Sequence, residues 1–265
     1  MTIPKIIHHI APENIENHHP IWKLCYQSWL KEFPEPEYHH IIWNDDDIDN
    51  LVKYKFPEYW SLYSSFPFHI LKIDFSRFCI LYEYGGIYAD MDMYCYENFY
   101  SSLTDKEVFL IQENKGIATQ NRVQNSLMCS IKNSPFFLYC MKECKKLFYS
   151  TKNINPEKEQ LHKILNQKFT EKEFQEYIWK ISGPHLLSKV YLNYKNKIDI
   201  LPKDQYNPDK KSYHSNIKTK HMETGIWGKD ALQHIKSLNL SFEEIYDLEL
   251  SKFNFYKNYN ILSYK

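Results

Sequence analysis

Two carboxylates separated by one residue are the feature of this sequence best suited to chemistry. Asp90 and Asp92 directly follow the short apolar run 86–89, which reads as a strand. At the end of a strand both side chains can face one hard cation, and oxygen ligands suit Mg²⁺ or Mn²⁺. Such a cation would neutralise the charge that develops on a departing diphosphate. Because turns and helix caps also produce a D-x-D pattern, its surroundings decide how it is read.

The elements before this pair would place it at the edge of a sheet. Apolar residues recur at helical spacing over 67–84, and Gly85 follows where a C-cap glycine is expected. The strand 86–89 then carries the carboxylates to the carboxyl edge of a sheet, where open α/β folds bind ligands. Asp74 and Arg77 lie three residues apart on this helix and therefore share a face. They form either a surface ion pair or a pair that binds hydroxyl groups in a donor pocket.

The remaining patterns predict an α/β fold. The strand 3–10, the helix 20–33 and the strand 38–43 follow one another as in a Rossmann-like nucleotide-binding half. The acidic run 45–47 predicts a turn and a helix start rather than a second acidic site. Further strands are expected at 108–112, 126–130 and 198–201, and helices at 135–149, 156–167, 171–181, 184–194, 230–238 and 242–256. We therefore expect one catalytic domain, 1–265, with a helical acceptor-side insertion at about 135–195.

Composition excludes several classes of protein. Of the 265 residues, 43% are hydrophobic, which favours a folded core, and 33 basic residues balance 33 acidic ones. No excess charge therefore draws the whole chain onto nucleic acid. No apolar run reaches the roughly 20 residues that span a bilayer, and the N-terminus lacks the apolar centre of a signal peptide. Six scattered cysteines without a CxxC pair indicate free thiols, so we expect a cytoplasmic location, in solution or peripheral to a membrane.

The segment from Ile73 to Asp92 resembles the signature of the DXD-containing sugar transferases. This family includes the yeast initiating α-1,6-mannosyltransferases, bacterial capsular polysaccharide transferases and, more distantly, the clostridial glucosylating toxins. The central match consists of Ile73-Asp74-Phe75-Ser76-Arg77 and Leu81-Tyr82-Glu83-Tyr84-Gly85-Gly86-Ile87-Tyr88-Ala89-Asp90-Met91-Asp92. Shorter matches are Ile3-Pro4-Lys5-Ile6-Ile7-His8, Trp43-Asn44-Asp45-Asp46, Ser182-Gly183-Pro184, Leu201-Pro202 and the segment from His221 to Trp227. The resemblance extends over most of the chain.

The resemblance implies a GT-A fold, a nucleotide-sugar donor, a divalent metal and retention of the anomeric configuration. The residues that it implies for catalysis are Asp74, Arg77, Asp90 and Asp92. Asp74 and Arg77 would contact hydroxyl groups of the donor sugar, Asp90 would hold ribose or metal, and Asp92 would ligate the metal. His221 would complete the coordination, or is an ordinary loop histidine. Trp227 would pack near the diphosphate, or is a core residue.

The predicted donor-binding set reaches beyond these residues. It comprises His8, His9, Ile10, Asp74, Arg77, Tyr88, Ala89, Asp90, Asn125 and Trp227. Adjacent histidines in a strand point to opposite faces, so His8 and His9 do not chelate one ion; they are structural, or they line the nucleotide site. Asn125 would face the sugar or the acceptor. Ala11 stands where relatives often carry tryptophan, so the stacking partner of the base, and with it the nucleotide, is left open.

The sequence thus predicts a metal-dependent, retaining hexosyltransferase. Its donor is expected to be a UDP-hexose first and GDP-mannose second, and its acceptor a hydroxyl group of a glycan, a lipid-linked molecule or a protein, as in polysaccharide biosynthesis. One alternative is a metal-dependent hydrolase of nucleotide sugars, which differs only in the acceptor. The other is a non-catalytic module that binds sugar nucleotides, although such a module has little need of a metal pair. The Ser182-Gly183-Pro184 segment is expected to shape a helix start.

Overall fold

The computed structural model describes residues 2–12, 20–66, 68–113, 122–150, 171–208 and 216–222. Its main sheet contains β1 (Ile6–Ile10), β2 (His39–Trp43), β3 (Gly86–Ala89), β5 (Val108–Gln112), β6 (Val123–Ser130) and β7 (Ile198–Leu201). The order across this six-stranded sheet is β2-β1-β3-β6-β5-β7. A second sheet pairs two short strands, β4 (Met93–Cys95) and β8 (Thr219–His221).

Helices pack around this mixed sheet. They are α1 (Pro20–Glu32), α2 (Asp45–Lys55), α3 (Pro57–Ser64), α4 (His69–Tyr84), α5 (Pro135–Ser150), α6 (Glu171–Ile181), α7 (Pro184–Tyr191) and α8 (Lys203–Tyr206). The predicted α/β class and its opening strand, helix, strand order are confirmed. β1 runs parallel to both β2 and β3, so these three strands end at the same edge of the sheet. The helices predicted at 156–167, 230–238 and 242–256 lie outside the described residues.

The junction between α4 and β3 depends on two glycines. Gly85 and Gly86 have φ angles of +66° and +94°, a region that side chains with a Cβ rarely adopt. A Cβ on Gly86 would lie 2.5 Å from the carbonyl oxygen of Ile6, so a side chain there would push β3 away from β1. The same turn connects the buried helix α4 directly to β3, so the residues after β3 lie at the carboxyl edge of the sheet.

Several local features differ from the sequence prediction. The acidic run 45–47 does begin a helix, but the cap is Asn44, whose side chain accepts from the backbone of Asp47 while the Asp47 carboxylate accepts from Asn44 N–H. That helix continues to Lys55, which the charged run had not indicated. β4 and β8 were not predicted, because strands of three residues carry too little alternation to be recognised. β1 begins at Ile6, where its ladder with β2 starts, rather than at the predicted Ile3.

Most of the aromatic rings among the described residues belong to the core. Trp29 stacks on Phe33 with ring centroids 5.3 Å apart, and Phe99 meets Phe33 edge-on at 5.4 Å. All six cysteines are buried and unpaired, in agreement with the expectation of free thiols. Within the described ranges, no helix is both long and apolar enough to cross a membrane.

Candidate active site

An arginine, a tyrosine and an aspartate form a closed set of contacts at the carboxyl end of β3. The Arg77 Nη2 atom lies 2.9 Å from Asp90 Oδ1. Arg77 Nε donates a hydrogen bond of 2.9 Å to the Tyr88 hydroxyl, which in turn donates to Asp90 Oδ1 at 2.8 Å. The backbone N–H of Asp90 also donates to the carbonyl oxygen of Ser126 at 2.8 Å. Asp90 is therefore held both through its carboxylate oxygen Oδ1 and through its backbone.

The pair predicted from helical spacing, Asp74 and Arg77, lies inside the protein. Asp74 is 3% exposed and Arg77 is 6% exposed, and Arg77 Nη1 contacts Asp74 Oδ1 directly. The surface ion pair considered from the sequence is therefore wrong. Removing a charge from water costs several kcal/mol unless it is paired and hydrogen-bonded. The planar guanidinium meets this demand because its donors reach Asp74, Tyr88 and Asp90 at once.

Two further side chains hold the carboxylate of Asp74. Asn125 Nδ2 donates to Asp74 Oδ1 at 3.0 Å, and Ser182 Oγ donates to Asp74 Oδ2 at 3.1 Å. Asn125 lies on β6, while Ser182 lies in the turn between α6 and α7. Asp74 thus joins three parts of the chain that are distant in sequence, and Asn125, predicted to face sugar or acceptor, lies beside the pair predicted to bind sugar hydroxyls.

Burial makes the carboxylates of this site harder to ionise. It raises the pKa of Asp74 to about 6, although the neighbouring Arg77 guanidinium acts in the opposite direction. Burial also raises the pKa of Asp90, an effect that Arg77 and His221 oppose and the nearby Asp92 carboxylate reinforces. The site therefore concentrates negative charge that Arg77 only partly balances.

The second carboxylate, Asp92, meets a residue from far along the chain. In the antiparallel β4–β8 ladder, Met93 lies opposite His221. This register brings His221 Nε2 to 3.0 Å from Asp92 Oδ1. Asn207 supports the same strand, because its Oδ1 accepts from the His221 backbone N–H at 3.2 Å and its Nδ2 donates to Gln124 Oε1 at 3.0 Å.

Asp90, Asp92 and His221 fit a divalent cation. Each offers a ligand atom, and these atoms lie within 4.8 Å of one another. The three side chains are 19%, 11% and 24% exposed respectively, so a ligand can reach them from solvent. The two carboxylates supply the oxygen ligands that suit Mn²⁺ or Mg²⁺, and a cation would offset the clustered negative charge.

The two histidines predicted either to be structural or to line the nucleotide site are fully buried in β1. His8 Nε2–H donates to the carbonyl oxygen of Gly85 at 2.8 Å, and its Nδ1 accepts from Trp43 Nε1 at 3.1 Å. His9 Nδ1 bonds to the carbonyl oxygen of Ala89 at 2.8 Å. Burial lowers the pKa of His8 to about 4 and that of His9 to about 3, so both are neutral near pH 7. These contacts fasten β1 to the two ends of β3.

The other members of the predicted donor set are less connected to this cluster. Ile10 is the last residue of β1, at the same sheet edge, and is partly buried. Ala89 is buried and directly precedes Asp90. Trp227 lies outside the described residues. A nucleotide-binding role for the β1 residues and for Trp227 stays a prediction.

Sequence reasoning missed the contacts of Ser182 and Asn207. Ser182 was expected only to shape a helix start, yet its hydroxyl reaches a side chain 108 residues earlier. Asn207 was not singled out at all. A Ser-Gly-Pro segment indicates where a helix begins, but no spacing along the chain reveals which distant side chain its hydroxyl contacts.

Fold and site together define an α/β protein with a candidate divalent-cation site at the carboxyl edge of its parallel strands. Residues 20–113 match the family described as "Glycosyltransferase sugar-binding region containing DXD motif". The resemblance to the DXD-containing sugar transferases is therefore confirmed, and the matched range contains Asp74, Arg77, Asp90 and Asp92.

Proteins similar to this chain carry glycosyltransferase names. Inositol phosphoceramide mannosyltransferase 3 of Schizosaccharomyces pombe is 32% identical over 87 residues, which are 28% of this chain and 24% of that protein. An uncharacterized glycosyltransferase of Acanthamoeba polyphaga mimivirus is 33% identical over 141 residues, 53% of this chain and 55% of the relative. The chain thus matches between about a quarter and about half of the length of these curated relatives. The solved structure of PaToxG glycosyltransferase superposes with a TM-score of 0.47 and 15% identity over 97% of this chain and 84% of that one.

Proposed function

We propose that this protein is a metal-dependent glycosyltransferase that moves a hexose from a nucleotide sugar to an acceptor hydroxyl group. One observation carries the proposal. The buried Asp74–Arg77–Tyr88–Asp90 chain of contacts ends where Asp90 meets the ligand atoms of Asp92 and His221. A rigid polar wall beside a cation site is what transfer from a nucleotide diphosphate needs, since it fixes the donor and stabilises the charge that develops as the diphosphate departs.

The residues divide into two groups by role. Asp90, Asp92 and His221 would hold Mn²⁺ or Mg²⁺, which when bound stabilises the negative charge of a leaving diphosphate. Asp74 and Arg77 bind hydroxyl groups of the donor sugar, and Asn125 lies beside them. Tyr88 and Arg77 fix Asp90, so the sugar-binding pair and the cation ligands are held in one geometry. His8, His9, Ile10, Ala89 and Trp227 complete the proposed donor site.

The proposed reaction retains the anomeric configuration. The bond between the anomeric carbon and the diphosphate oxygen breaks while a bond to the acceptor oxygen forms on the same face of the sugar. The acceptor proton passes to the departing diphosphate. Asp74, the buried carboxylate next to the cation ligands, is tied to Arg77, Asn125 and Ser182 and so is poorly placed to act as a nucleophile. Proton NMR of the first-formed product tests this, and an inverted product would refute retention while leaving transfer intact.

The donor is a hexose nucleotide. UDP-hexoses were the first expectation from the sequence, but the relative from S. pombe is named a mannosyltransferase, which favours mannose and with it GDP-mannose. The acceptor named for that relative is an inositol phosphoceramide, a lipid that presents sugar-like hydroxyl groups. We therefore place lipid-linked acceptors first and glycan or protein hydroxyl groups, including those of a growing polysaccharide, second.

The experiment that tests the proposal measures release of the nucleoside diphosphate. The purified chain with Mn²⁺ is incubated with GDP-mannose, UDP-glucose or UDP-galactose, with and without an inositol-containing lipid, a mannoside or a glucoside. Release of GDP or UDP that rises when an acceptor is added, with a glycosylated product in the mass spectrum, supports transfer. Absence of any turnover, together with intact folding, contradicts it.

Two other functions give different results in the same experiment. A metal-dependent nucleotide-sugar hydrolase releases free sugar at the same rate with every acceptor. A non-catalytic binding module binds the donor and turns over nothing. The close cluster of Asp90, Asp92 and His221 favours an enzyme, because a module gains little from a cation site beside the sugar.

The proposal also covers the domain organisation of the chain and the place where it acts. We take residues 1–265 as one catalytic domain and the helices between about 135 and 195 as the side that receives the acceptor. A cytoplasmic place of action, in solution or at a membrane surface, is supported by six buried and unpaired cysteines, because disulfides are rare in reducing compartments.

A further inference from the structure

We propose that Ser182 is a positioning residue that orients the carboxylate of Asp74 toward the donor sugar. The inference rests on the proposed function, since it names what holds the sugar-binding pair in place. Ser182 lies in the turn between α6 and α7 and is fully buried. Its hydroxyl donates to Asp74 Oδ2 at 3.1 Å.

The hydrogen bonds of Asp74 show why this contact matters. Each carboxylate oxygen accepts about two hydrogen bonds. Oδ1 accepts from Arg77 and from Asn125, while Oδ2 accepts from Ser182. Among the described residues these contacts fill both positions of Oδ1 and one of Oδ2. The second position of Oδ2 is the one left for a ligand hydroxyl group, and its direction depends on where Ser182 holds that oxygen.

The glycine that follows makes the approach of the turn to Asp74 possible. A Cβ on Gly183 would lie 3.3 Å from Asp74 Oδ2 and 2.9 Å from the Cα atom of Trp179. A side chain there would push the turn away from α4 and so remove Ser182 from Asp74. The Ser182-Gly183 pair therefore acts as a unit, in which the glycine allows the close approach and the serine makes the contact.

The contact also joins the two sides of the proposed reaction. α6 and α7 belong to the helices that we assign to the acceptor, whereas Asp74 belongs to the donor side. Trp179 and His185 flank the same turn, with ring centroids 5.3 Å apart. Both rings are partly exposed, and Trp179 lies three residues before Ser182 while His185 lies two residues after Gly183. Ser182 is thus the polar link between these helices and the donor-binding pair.

The test compares two buried serines of the same region. Ser182→Ala removes the hydroxyl that touches Asp74. Ser188→Ala is the control: Ser188 is also buried, but its hydroxyl's partners within the described ranges are backbone atoms of Val123 and Pro184. Isothermal titration calorimetry with Mn²⁺ measures the affinities of wild type and variants for GDP-mannose and GDP, and for UDP-glucose and UDP.

We expect Ser182→Ala to weaken binding of the sugar nucleotide about tenfold, the effect of losing one hydrogen bond to a charged group. Its affinity for the matching nucleoside diphosphate stays at the wild-type value, because the proposed donor contact of Asp74 is with the sugar and not with the diphosphate. Ser182→Thr, which keeps the hydroxyl, restores sugar-nucleotide binding, and Ser188→Ala leaves both affinities unchanged. A variant that merely loosens the structure would weaken both ligands together.

The opposite results overturn the inference. Equal affinities of Ser182→Ala and wild type for the sugar nucleotide refute the positioning role, as does equal loss for sugar nucleotide and diphosphate. If Ser182→Ala does not fold, Ser182→Thr and Ser182→Val take its place, since they match in shape and differ in the hydroxyl. Wild-type protein that binds none of these ligands refutes the proposed function itself, whereas normal wild-type binding with an unaffected Ser182 variant refutes only the role of Ser182.

Discussion

The two carboxylates of the Asp90-Met91-Asp92 motif are held in opposite ways. Asp90 is fixed by Arg77 and Tyr88, which lie within 13 residues of it on the adjoining helix and strand. Asp92 is met by His221, which lies 129 residues later and arrives on a two-stranded sheet. Asp90 is held by local, buried partners, whereas the partner of Asp92 comes from a distant segment and is 24% exposed.

This difference has a physical consequence. The Asp90 half shares its contacts with the core, so the same side chains serve the site and the stability of the fold. The Asp92 half is completed by a three-residue strand on which His221 is only partly buried, so we expect loss of its side chain to disturb the core little. Substitutions on the two sides should therefore separate effects on stability from effects on the cation.

The largest effect is expected for Asp92→Asn. The change removes the charge of a proposed cation ligand with almost no change in shape, and we expect turnover to fall about a thousandfold because leaving-group stabilisation is lost. Release of nucleoside diphosphate measures turnover. Titration with Mn²⁺, followed by electron paramagnetic resonance, measures the affinity for the cation. Asp46→Asn, the same change at an exposed position, is the control. Turnover of Asp92→Asn at the wild-type rate would contradict a role for Asp92 in the reaction.

Arg77→Lys tests the local half. Lysine keeps the charge but cannot reach Asp74, Tyr88 and Asp90 together, so buried carboxylates lose their partner. We expect the free energy of unfolding to fall by about 3 kcal/mol, as when a buried ion pair is broken, with turnover falling in parallel. Urea unfolding measures the free energy of unfolding, and release of nucleoside diphosphate measures turnover. Lys197→Ala, which breaks an exposed ion pair with Glu107, should cost less than about 1 kcal/mol. Equal costs of the two variants would contradict a structural role for Arg77.

The contact of β1 with the start of β3, made by His8, should weaken the fold in acid. Burial lowers the pKa of His8 from 6.5 to about 4, so between these values the unfolded chain binds the proton and the folded chain does not. The stabilisation is complete above pH 6.5 and is lost as pH falls toward 4, by about 3 kcal/mol. Unfolding of wild type and His8→Gln across this range measures it. We expect a smaller acid loss in His8→Gln, and parallel pH profiles would refute the assignment to His8.

The smallest effect on the fold is expected for His221→Ala. Loss of one ligand should weaken Mn²⁺ binding between about 10-fold and 100-fold, the range found when the support of a metal site is removed. The free energy of unfolding should change by less than about 1 kcal/mol, since the ring is partly exposed. Calorimetric titration measures the Mn²⁺ affinity, and urea unfolding measures the free energy of unfolding. A large stability loss with unchanged Mn²⁺ affinity would make His221 a structural residue.

The contrast between the halves also explains what could be predicted from the sequence. The path from α4 through Gly85 to β3 was readable because helical periodicity, a C-cap glycine and a short apolar strand follow one another without interruption. The position of Asp74 and Arg77 on one face came from the same spacing. Their burial did not, because spacing shows which residues share a face but not what covers it, and the cover comes from β6 and the α6–α7 turn.

Contacts between distant segments were beyond sequence patterns. His221 was proposed as a ligand only through resemblance, and the β4–β8 ladder that brings it to Asp92 was not predicted. Ser182 and Asn207 were missed because a hydroxyl or amide gives no periodic signal. The histidine pair in β1 was correctly expected to point to two faces, yet the partners of the rings, the carbonyl groups at the ends of β3, depend on strand pairing.

The central claim is that this site binds a nucleotide sugar together with a divalent cation. Thermal unfolding of the wild-type chain is measured with GDP-mannose, UDP-glucose and UDP-galactose, each with Mn²⁺ and with EDTA. We predict that one donor stabilises the protein in Mn²⁺, by about 2.7 kcal/mol at 100 times its dissociation constant, and that EDTA abolishes the effect. An equal shift in Mn²⁺ and EDTA, or no shift with any donor, would contradict the claim.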